Sequence, residues 1–174
     1  MIVHAIRDNV AALRQGSALL SGLSATSYGQ RSPACFNSSA GGHFRHVIEH
    51  YQSFLLGVGS GHIDYEARPR DPLMETDPAY ALAQLEGLID RLGELACDAR
   101  VQVRAESTPA AAPHAGAGSS VLRELEFLLS HTVHHYALIG VICHLAGQPL
   151  PKAFGLAPST LRHQRAHAAP SCAR

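Results

Sequence analysis

Seven of the twelve histidines in this 174-residue chain fall in two short runs, residues 41–50 and 130–144. Both runs lie in segments with the hydrophobic periodicity of a helix. Three imidazoles of each run share one helical face, namely His43, His46 and His50 in the first and His131, His134 and His135 in the second. Neutral imidazole is a common protein ligand for zinc, nickel and iron. Two helices that present imidazoles to each other therefore predict a site for a divalent transition metal.

The second run has the clearer orientation. His131 and His135 lie within the predicted apolar stripe of their helix, whose other members are Phe127, Leu128, Leu138, Ile142 and Leu145. Polar side chains in a core-facing stripe cost free energy unless they have partners, and a bound cation is one such partner. In the first run His43 and His50 lie nearer the apolar face than His46, so the residues alone leave the choice of ligand open.

Ordinary core histidines are the competing interpretation. Random placement of twelve histidines in a chain of this length gives roughly one His-x-x-x-His pair. Buried histidines also satisfy their nitrogens by hydrogen bonds to other protein groups. Two clusters at core-facing positions of separate helices raise the metal site to an equal footing with this interpretation, so the residues alone leave both open.

Composition is that of a globular protein with one domain. Apolar residues make up 46% of the chain and charged residues 16%, and 14 basic side chains balance 14 acidic ones. This equal number of charges does not indicate the excess of basic residues found in proteins that bind nucleic acid or acidic membranes, so neither partner is expected.

The N-terminal residues lack the pattern of a signal peptide, and no segment approaches the about 20 apolar residues of a membrane helix. The four cysteines form no Cys-x-x-Cys pair. A cytoplasmic protein with reduced thiols is expected.

Turn-forming residues divide the chain into four predicted helices. They span about residues 3–20, 40–58, 79–99 and 121–146, with predicted N-caps at Ser38 or Ser39, at Asp77 followed by Pro78, and at Ser119 or Ser120. Two connections are long, and one of them is a Pro/Ala/Gly loop at residues 108–118. The tail after the fourth helix is predicted to hold at most a short helical turn near residues 159–165. The pattern predicts an all-α four-helix bundle.

Residues 101–108, VQVRAEST, alternate like a β-strand. A single strand has no partner to pair with. The segment is therefore interpreted as the end of a helix that runs into a loop.

The segment SSAGGHFRHVIEHYQSF and, about eighty residues later, SHTVHHYALIGVICHLAG resemble the DinB/YfiT-like family of four-helix-bundle metalloproteins. In that family a Ser or Thr caps the second helix and a His follows seven positions later, a register that Ser39 and His46 match. The family's second element is a His-x-x-x-His late in the bundle, which His131 and His135 match. The resemblance covers residues 1–148.

This resemblance implies an up-down-down-up bundle over residues 1–148, followed by a tail at 149–174. It also implies a divalent metal (zinc, nickel or iron) bound by His46, His131 and His135. The choice of His46 goes against the helical-face pattern, so the alternates His50, His43 and His134 are retained. Family members are frequently homodimers, and the first helix spreads apolar residues over more than one bundle face, at Ile2, Ile6, Val10 and Leu13.

Family members with assigned activities include thiol transferases, a thiol-dependent isomerase and metal-binding domains of sulfoxide synthases. Three histidine ligands leave at least one position open on the metal, as in catalytic sites. The expected function is therefore that of a metal-dependent enzyme that acts on a small molecule. It is either a transferase that uses a low-molecular-weight thiol or a hydrolase. The alternative is a stress-linked accessory protein that binds a metal or ligand without turnover.

Side chains outside the two runs are candidates for supporting roles. Glu49, Glu124 and Asp64 are candidates to orient the ligands or act as a base, or are simply solvated charges. The segment IDYEARPRDP, residues 63–72, is interpreted either as a rim whose Arg68 and Arg70 bind an anionic substrate or as a salt-bridged loop. Cys143 lies off the histidine stripe, and the pattern is typical of a packing residue.

Overall fold

Helices account for most of the chain in the computed structural model, which describes residues 1–105 and 116–168. In chain order they are α1 (Ile2–Leu20), α2 (Ala25–Gly29), α3 (Ala40–Val58), α4 (Leu73–Thr76), α5 (Pro78–Gly93), α6 (Val121–Leu145) and α7 (Pro158–Ala168), with a 3-10 turn at Pro33–Cys35. The four long helices α1, α3, α5 and α6 correspond to the four predicted from sequence. None of the helices in the described ranges has the length and hydropathy needed to cross a bilayer.

Side-chain caps fix the starts of α3, α5 and α6 where the sequence predicts them. The Ser39 hydroxyl accepts the Gly42 amide, and the Ser120 hydroxyl accepts the Arg123 amide. Asp77 accepts two amides of the first turn of α5, and Pro78 occupies the first helical position. Each cap satisfies a donor that the first turn of a helix leaves unpaired, so these starts are determined locally.

The core forms where α1 and α3 each pack against both α5 and α6. Helix α3 contributes the most continuous buried face, with fully buried Phe44, Val47, Ile48, Tyr51 and Phe54. Helix α5 adds Leu85, Leu88 and Leu92. Burial of these apolar side chains is the main stabilising contribution to the fold.

A buried polar network ties α1, α3 and α6 together inside this core. The Asn9 amide donates to the Leu125 carbonyl across the interface with α6 (2.9 Å) and accepts the Tyr51 hydroxyl of α3 (2.6 Å). The Thr132 hydroxyl of α6 lies 3.1 Å from the Tyr51 oxygen. Asn9 and Thr132 are fully buried, so these bonds, together with those that Asn9 donates to the Ala5 carbonyl and Thr132 to the Leu128 carbonyl, compensate for their loss of water.

Two small sheets show that the all-α prediction is incomplete. The strands are β1 (Arg31–Ser32), β2 (Ser38–Ser39), β3 (His62–Asp64), β4 (Arg100–Arg104) and β5 (Ala117–Ser120). Strand β1 pairs antiparallel with β2, while β4 lies between β3, which is parallel to it, and β5, which is antiparallel.

Residues 101–104 are therefore a strand, and their interpretation as a helix end running into a loop was wrong. The partners of β4 are a three-residue strand and an Ala-Gly-Ser-Ser segment. Neither carries the alternating apolar pattern by which a strand is recognised. The sequence therefore gave no sign of the partners that residues 101–104 require.

Other boundaries also differ from the prediction. Helix α5 ends at Gly93 instead of extending to residue 99, in keeping with the low helix propensity of glycine. Helix α7 is longer than the predicted turn at 159–165, and the short α2 and α4 lie in segments predicted as connections. Of the predicted loop at 108–118, residues 108–115 lie outside the described part of the chain, as do residues 169–174 of the tail.

Tyr51→Phe should reduce the free energy of unfolding by about 1–3 kcal/mol, because it leaves the buried Asn9 oxygen without its donor. Denaturant unfolding of the two proteins measures the difference. Tyr80→Phe is the matched control, since the Tyr80 hydroxyl donates to Asp71 near the surface (3.1 Å) and its loss should have a much smaller effect. Equal losses for the two variants would contradict a stabilising role of the network.

Candidate metal centre

The packing of α3 against α6 brings the two histidine runs together. His43 and His50 on α3 are buried, and His46 is half-buried. On α6 His131 and His135 are half-buried, whereas His134 is exposed. The cluster therefore lies at the edge of the α3–α6 interface, and five of its six imidazoles are at least partly shielded from water.

Three of these histidines form a group with the spacing of a metal site. The ligand atoms of His46, His50 and His131 all lie within 4.8 Å of one another. The Nε2 atoms of His46 and His131 are 3.1 Å apart. Two imidazole nitrogens on a tetrahedral zinc ion, each about 2.0–2.1 Å from it, are about 3.3 Å apart. The His46–His131 pair thus needs little movement to hold an ion.

His135 lies beside this group. Its ring centroid is 4.5 Å from those of both His46 and His131, and its Nδ1 is 2.9 Å from Nδ1 of His43. The sequence predicted His135 as the third ligand, and the atoms grouped most closely with His46 and His131 are instead those of His50. Of the remaining alternates, His43 contacts His135, and His134 is an exposed neighbour of His135.

A backbone contact determines which nitrogen of His50 can bind a metal. His50 Nδ1 lies 2.7 Å from the His46 carbonyl oxygen. A carbonyl only accepts, so Nδ1 carries the proton and the free lone pair is on Nε2. Metal-binding histidines usually have one nitrogen fixed in this way by a neighbouring acceptor.

Arg68 is the component of the cluster that the helical pattern did not predict. Its Nη1 lies 2.8 Å from His46 Nδ1 and 3.3 Å from His50 Nδ1. A guanidinium only donates, so His46 Nδ1 accepts this hydrogen bond and the His46 proton is on Nε2. Arg68 is in a connection, where helical periodicity cannot indicate the direction of a side chain, and the sequence offered only its proximity to Arg70.

The loop that carries Arg68 is held at both ends. The Tyr65 amide donates to the Arg104 carbonyl of β4 (3.0 Å), and the Asp71 amide donates to the Glu49 carboxylate of α3 (2.8 Å). These two bonds join the loop to the sheet on one side and to the helix that carries His46 on the other. Arg68 therefore reaches the cluster from a constrained backbone.

Burial and mutual repulsion keep the clustered imidazoles uncharged. The pKa of His46 is lowered to about 2, that of His131 and His135 to about 3, and that of His50 to about 4. Burial is the largest cause in each case, and neighbouring histidines and the Arg68 guanidinium contribute the rest of the lowering. The pKa of His43 is also lowered, chiefly by burial. Near neutral pH these side chains are in the form that binds metals.

Two buried imidazole nitrogens in the described part of the chain have no hydrogen-bond partner, His131 Nδ1 and His43 Nε2. Buried polar atoms are nearly always satisfied by protein, water or a ligand. A metal held by the Nε2 atoms of His46 and His131 would contact neither atom, so these two nitrogens do not bear on metal binding. The neutral nitrogen donors and their spacing are the observations compatible with a metal ion.

A cavity of about 320 Å³ adjoins the cluster, and His50, Tyr65, Arg68, Arg70 and Phe127 are among the residues that line it. The Tyr65 ring stacks on His50, with centroids 5.4 Å apart, and the Phe127 ring stacks on His131 at 5.5 Å. Two aromatic side chains of the lining thus stack on two histidines of the cluster. A small molecule in the cavity would lie next to the histidines.

The three carboxylates singled out in the sequence are engaged in holding the structure. Glu49 accepts the Asp71 amide, and Glu124 accepts the hydroxyls of Tyr65 (3.0 Å) and Ser119 (2.6 Å). Asp64 accepts two backbone amides of its own turn. Glu124 orients Tyr65, which stacks on His50, and so supports the cluster indirectly.

The predicted apolar stripe of α6 is displaced from the buried one. The fully buried line runs through Leu128, Thr132 and Ile139, while Leu145 is 62% exposed. His131 and His135 flank this line on the side of α3. Helix α6 is apolar around much of its circumference, so periodicity could not locate the centre of its buried face.

Cys143 is buried, as its interpretation as a packing residue expects, and burial raises the pKa of its thiol.

Residues 10–139 match the family model of the DinB superfamily. The chain belongs to the DinB superfamily. The matched region contains both histidine runs up to His135, the loop with Arg68 and the three-stranded sheet. This confirms the family that the sequence resemblance indicated.

A relative with a curated name is FK506-binding protein 5 of Rhizopus delemar, which is 32% identical to this chain over 104 residues. The likeness covers 58% of this chain and 27% of that protein. The chain thus spans about a quarter of the relative's length. The binding of FK506 in the relative's name is a property of that protein.

The metal-free protein should lose stability as the pH falls below 6.5. The folded-state pKa of His50, about 4, lies below its ordinary value of 6.5, so the unfolded chain takes up the proton first. The stabilising contribution is fully present above pH 6.5 and is lost as the pH falls towards 4. For His50 alone the loss between pH 7 and pH 5 is about 2 kcal/mol.

Denaturant unfolding at the two pH values, in the presence of a chelator, measures this loss. His50→Gln should show a smaller loss than the wild-type protein, and His163→Gln, at an exposed position of α7, should show the same loss as the wild type. A stability that does not change between pH 7 and pH 5 would mean that the cluster is charged or open to water.

Proposed function

We propose that this protein binds one divalent transition metal (zinc, nickel or iron) between α3 and α6 and uses it in a reaction of a small molecule. The observation that carries the proposal is the His46–His131 pair, whose Nε2 atoms are 3.1 Å apart in a cluster of uncharged imidazoles. Membership of the DinB superfamily supports it. The family that the sequence resembles includes thiol transferases, so a thiol-dependent transfer is the reaction we propose first. Hydrolysis, in which water takes the place of the thiol, is the second reaction.

A third imidazole completes the proposed site, and two candidates compete for the position. The family register favours His135, one turn beyond His131 on α6. The spacing of the ligand atoms favours His50, which lies with His46 and His131 in one group. The Nδ1–H of His50 donates to the His46 carbonyl, which leaves its Nε2 for a metal. The Nδ1 of His135 contacts Nδ1 of His43, and its Nε2 is available for a metal when His135 is the donor in that pair.

Three imidazoles leave at least one position open on a divalent ion, which would supply Lewis acidity to a thiol or water at that position. The chain's own residues then have defined tasks. Tyr65 and Phe127 stack on His50 and His131, shield the two imidazoles from water and form an aromatic wall of the cavity. Glu124 accepts the Tyr65 hydroxyl and so holds that wall in place.

Binding without turnover is the second candidate function. The number of imidazoles favours it. The ring centroids of His50 and His135 lie 4.2 and 4.5 Å from that of His131, so both side chains are near the proposed site. Four nitrogens on a tetrahedral ion would leave no position for a substrate, as in structural zinc sites. The two candidates differ in how many of the four histidines are ligands.

Two further parts of the proposal concern architecture. The pairing of α1 and α3 with both α5 and α6 is compatible with an up-down-down-up order of the four long helices.

The second part is a homodimer. Val3 on α1 provides exposed apolar surface (70%) for it, whereas Leu13 is buried within the chain. Ile2, Ile6 and Val10 pack partly against the same core, so they contribute less free surface than the sequence suggests.

Zinc binding to alanine variants tests the site. His46→Ala and His131→Ala should each weaken zinc binding by more than about 100-fold, since even the loss of an outer partner of a ligand costs about 10–100-fold. A competition titration against a chromophoric chelator measures the affinity and the number of ions bound. His163→Ala, on the exposed α7, is the control and should bind zinc as the wild type does.

His50→Ala and His135→Ala distinguish the two candidates for the third ligand. A large loss with His135→Ala alone supports the family register, and a large loss with His50→Ala alone supports the observed group. Comparable losses with both point to four ligands and to binding without turnover. If none of the four variants weakens zinc binding, the histidines are core residues and the proposed function is wrong.

The zinc-loaded protein should accelerate the reaction of a low-molecular-weight thiol with an electrophile, which is measured by the disappearance of free thiol. His131→Ala, which lacks a proposed ligand, should lower the rate to that of the uncatalysed reaction. A wild-type rate equal to that of the uncatalysed reaction would leave metal binding without turnover as the function, and equal acceleration by both proteins would contradict a role of the metal in the reaction.

Sedimentation equilibrium tests the homodimer. The wild-type protein should be dimeric at micromolar concentration, and Val3→Glu should shift it towards the monomer by placing a charge on the exposed face of α1. A monomeric wild-type protein would contradict the homodimer.

A further inference from the structure

Arg68 and a metal ion cannot use His46 at the same time. The guanidinium donates to His46 Nδ1 (2.8 Å), which requires the His46 proton to be on Nε2. A metal held by the His46–His131 pair needs the lone pair of Nε2, so the proton must move to Nδ1. An Nδ1–H at this distance from a guanidinium N–H would be a contact between two donors, and a closer one than the 3.3 Å that separates Arg68 from the protonated Nδ1 of His50. Two cations close to one imidazole also repel each other.

Arg68 has a second place available without any change of the loop anchors at Tyr65 and Asp71. Its side chain already lines the cavity of about 320 Å³ that adjoins His50. A guanidinium that leaves His46 can turn into this cavity while the backbone stays in place. The volume lies at the lower end of the range found for small-molecule sites, about 300–1,000 Å³.

The lining of the cavity indicates which kind of ligand it would take. Arg70 contributes a second guanidinium, and Tyr65 and Phe127 contribute aromatic surface. Among the lining residues that the structure describes, Glu66 is a carboxylate, and it is paired with Arg104 at 3.1 Å, so its charge is directed to β4. Two guanidinium groups beside an apolar wall suit a small organic carboxylate, to which arginine can donate two parallel hydrogen bonds.

We propose that this cavity binds a small organic carboxylate and that Arg68 couples it to the metal centre. Metal binding releases Arg68 from His46, and the released guanidinium pairs with the carboxylate together with Arg70. This inference rests on the proposed function and identifies its substrate class. Because coupling between two sites is reciprocal, the carboxylate should tighten metal binding and the metal should tighten carboxylate binding.

Zinc affinity in the presence and absence of benzoate tests the coupling. Benzoate combines a carboxylate with an aromatic ring, and benzamide is its neutral control. Benzoate should tighten zinc binding to the wild-type protein, whereas benzamide should not. Arg68→Gln should bind zinc at least about tenfold more tightly than the wild type, because a competing cation has been removed, and should no longer respond to benzoate. Arg70→Gln should respond more weakly than the wild type.

Arg91→Gln removes the same charge from an exposed position of α5 and should leave zinc binding and the response to benzoate as in the wild type. Unchanged or weaker zinc binding by Arg68→Gln would show that Arg68 does not compete with the metal. A response to benzoate that persists in Arg68→Gln, or that benzamide reproduces, would also overturn the inference. The benzoate response of the wild type tests the proposal even if Arg68→Gln folds poorly.

These outcomes separate the inference from the proposed function. If the wild type binds zinc through His131 but Arg68→Gln and benzoate have none of the expected effects, only the inference is wrong. If the wild type binds no zinc at all, the proposed function and the inference fail together.

Discussion

Four imidazoles and a guanidinium are packed so closely between α3 and α6 that the imidazoles cannot take up protons near neutral pH. The ring centroids of His46, His50 and His131 are 4.2–5.0 Å apart, and the pKa of each is lowered by burial and by its charged or titratable neighbours. Arg68 adds a fixed positive charge to the same space. Each neutral imidazole has one nitrogen with a free lone pair, and such lone pairs are what a metal cation binds in a protein site.

The rest of the structure holds this unfavourable arrangement in place. The network of Asn9, Tyr51 and Thr132 fixes α3 against α6 below the cluster, with hydrogen bonds that apolar packing alone would not provide. On the other side, the three-stranded sheet positions the loop that carries Arg68. Gly57 permits this, because a Cβ at that position would lie 2.6 Å from the Cα of Ile63 in β3. The fold thus supplies both the histidine pair and the cation that competes for it.

The parts of the molecule that the sequence predicted are those determined within one segment. The four long helices and their caps at Ser39, Asp77 and Ser120 follow from local hydrogen bonding, and the meeting of the two histidine runs follows from helical periodicity. The strand at residues 101–104 needed partners from distant segments with no strand pattern of their own. The contact of Arg68 with His46 likewise depends on a loop anchored to two other elements. These features arise from tertiary contacts, which a pattern within one segment cannot encode.

Diffraction from crystals of the zinc-loaded protein at the zinc absorption edge tests the central claim most directly, because it locates the ion independently of any variant. The account predicts one anomalous peak between α3 and α6, about 2.0–2.1 Å from Nε2 of both His46 and His131, with the Arg68 guanidinium no longer in contact with His46 Nδ1. A peak bound only by other residues, or a histidine cluster with no peak in which Arg68 still donates to His46, would contradict it.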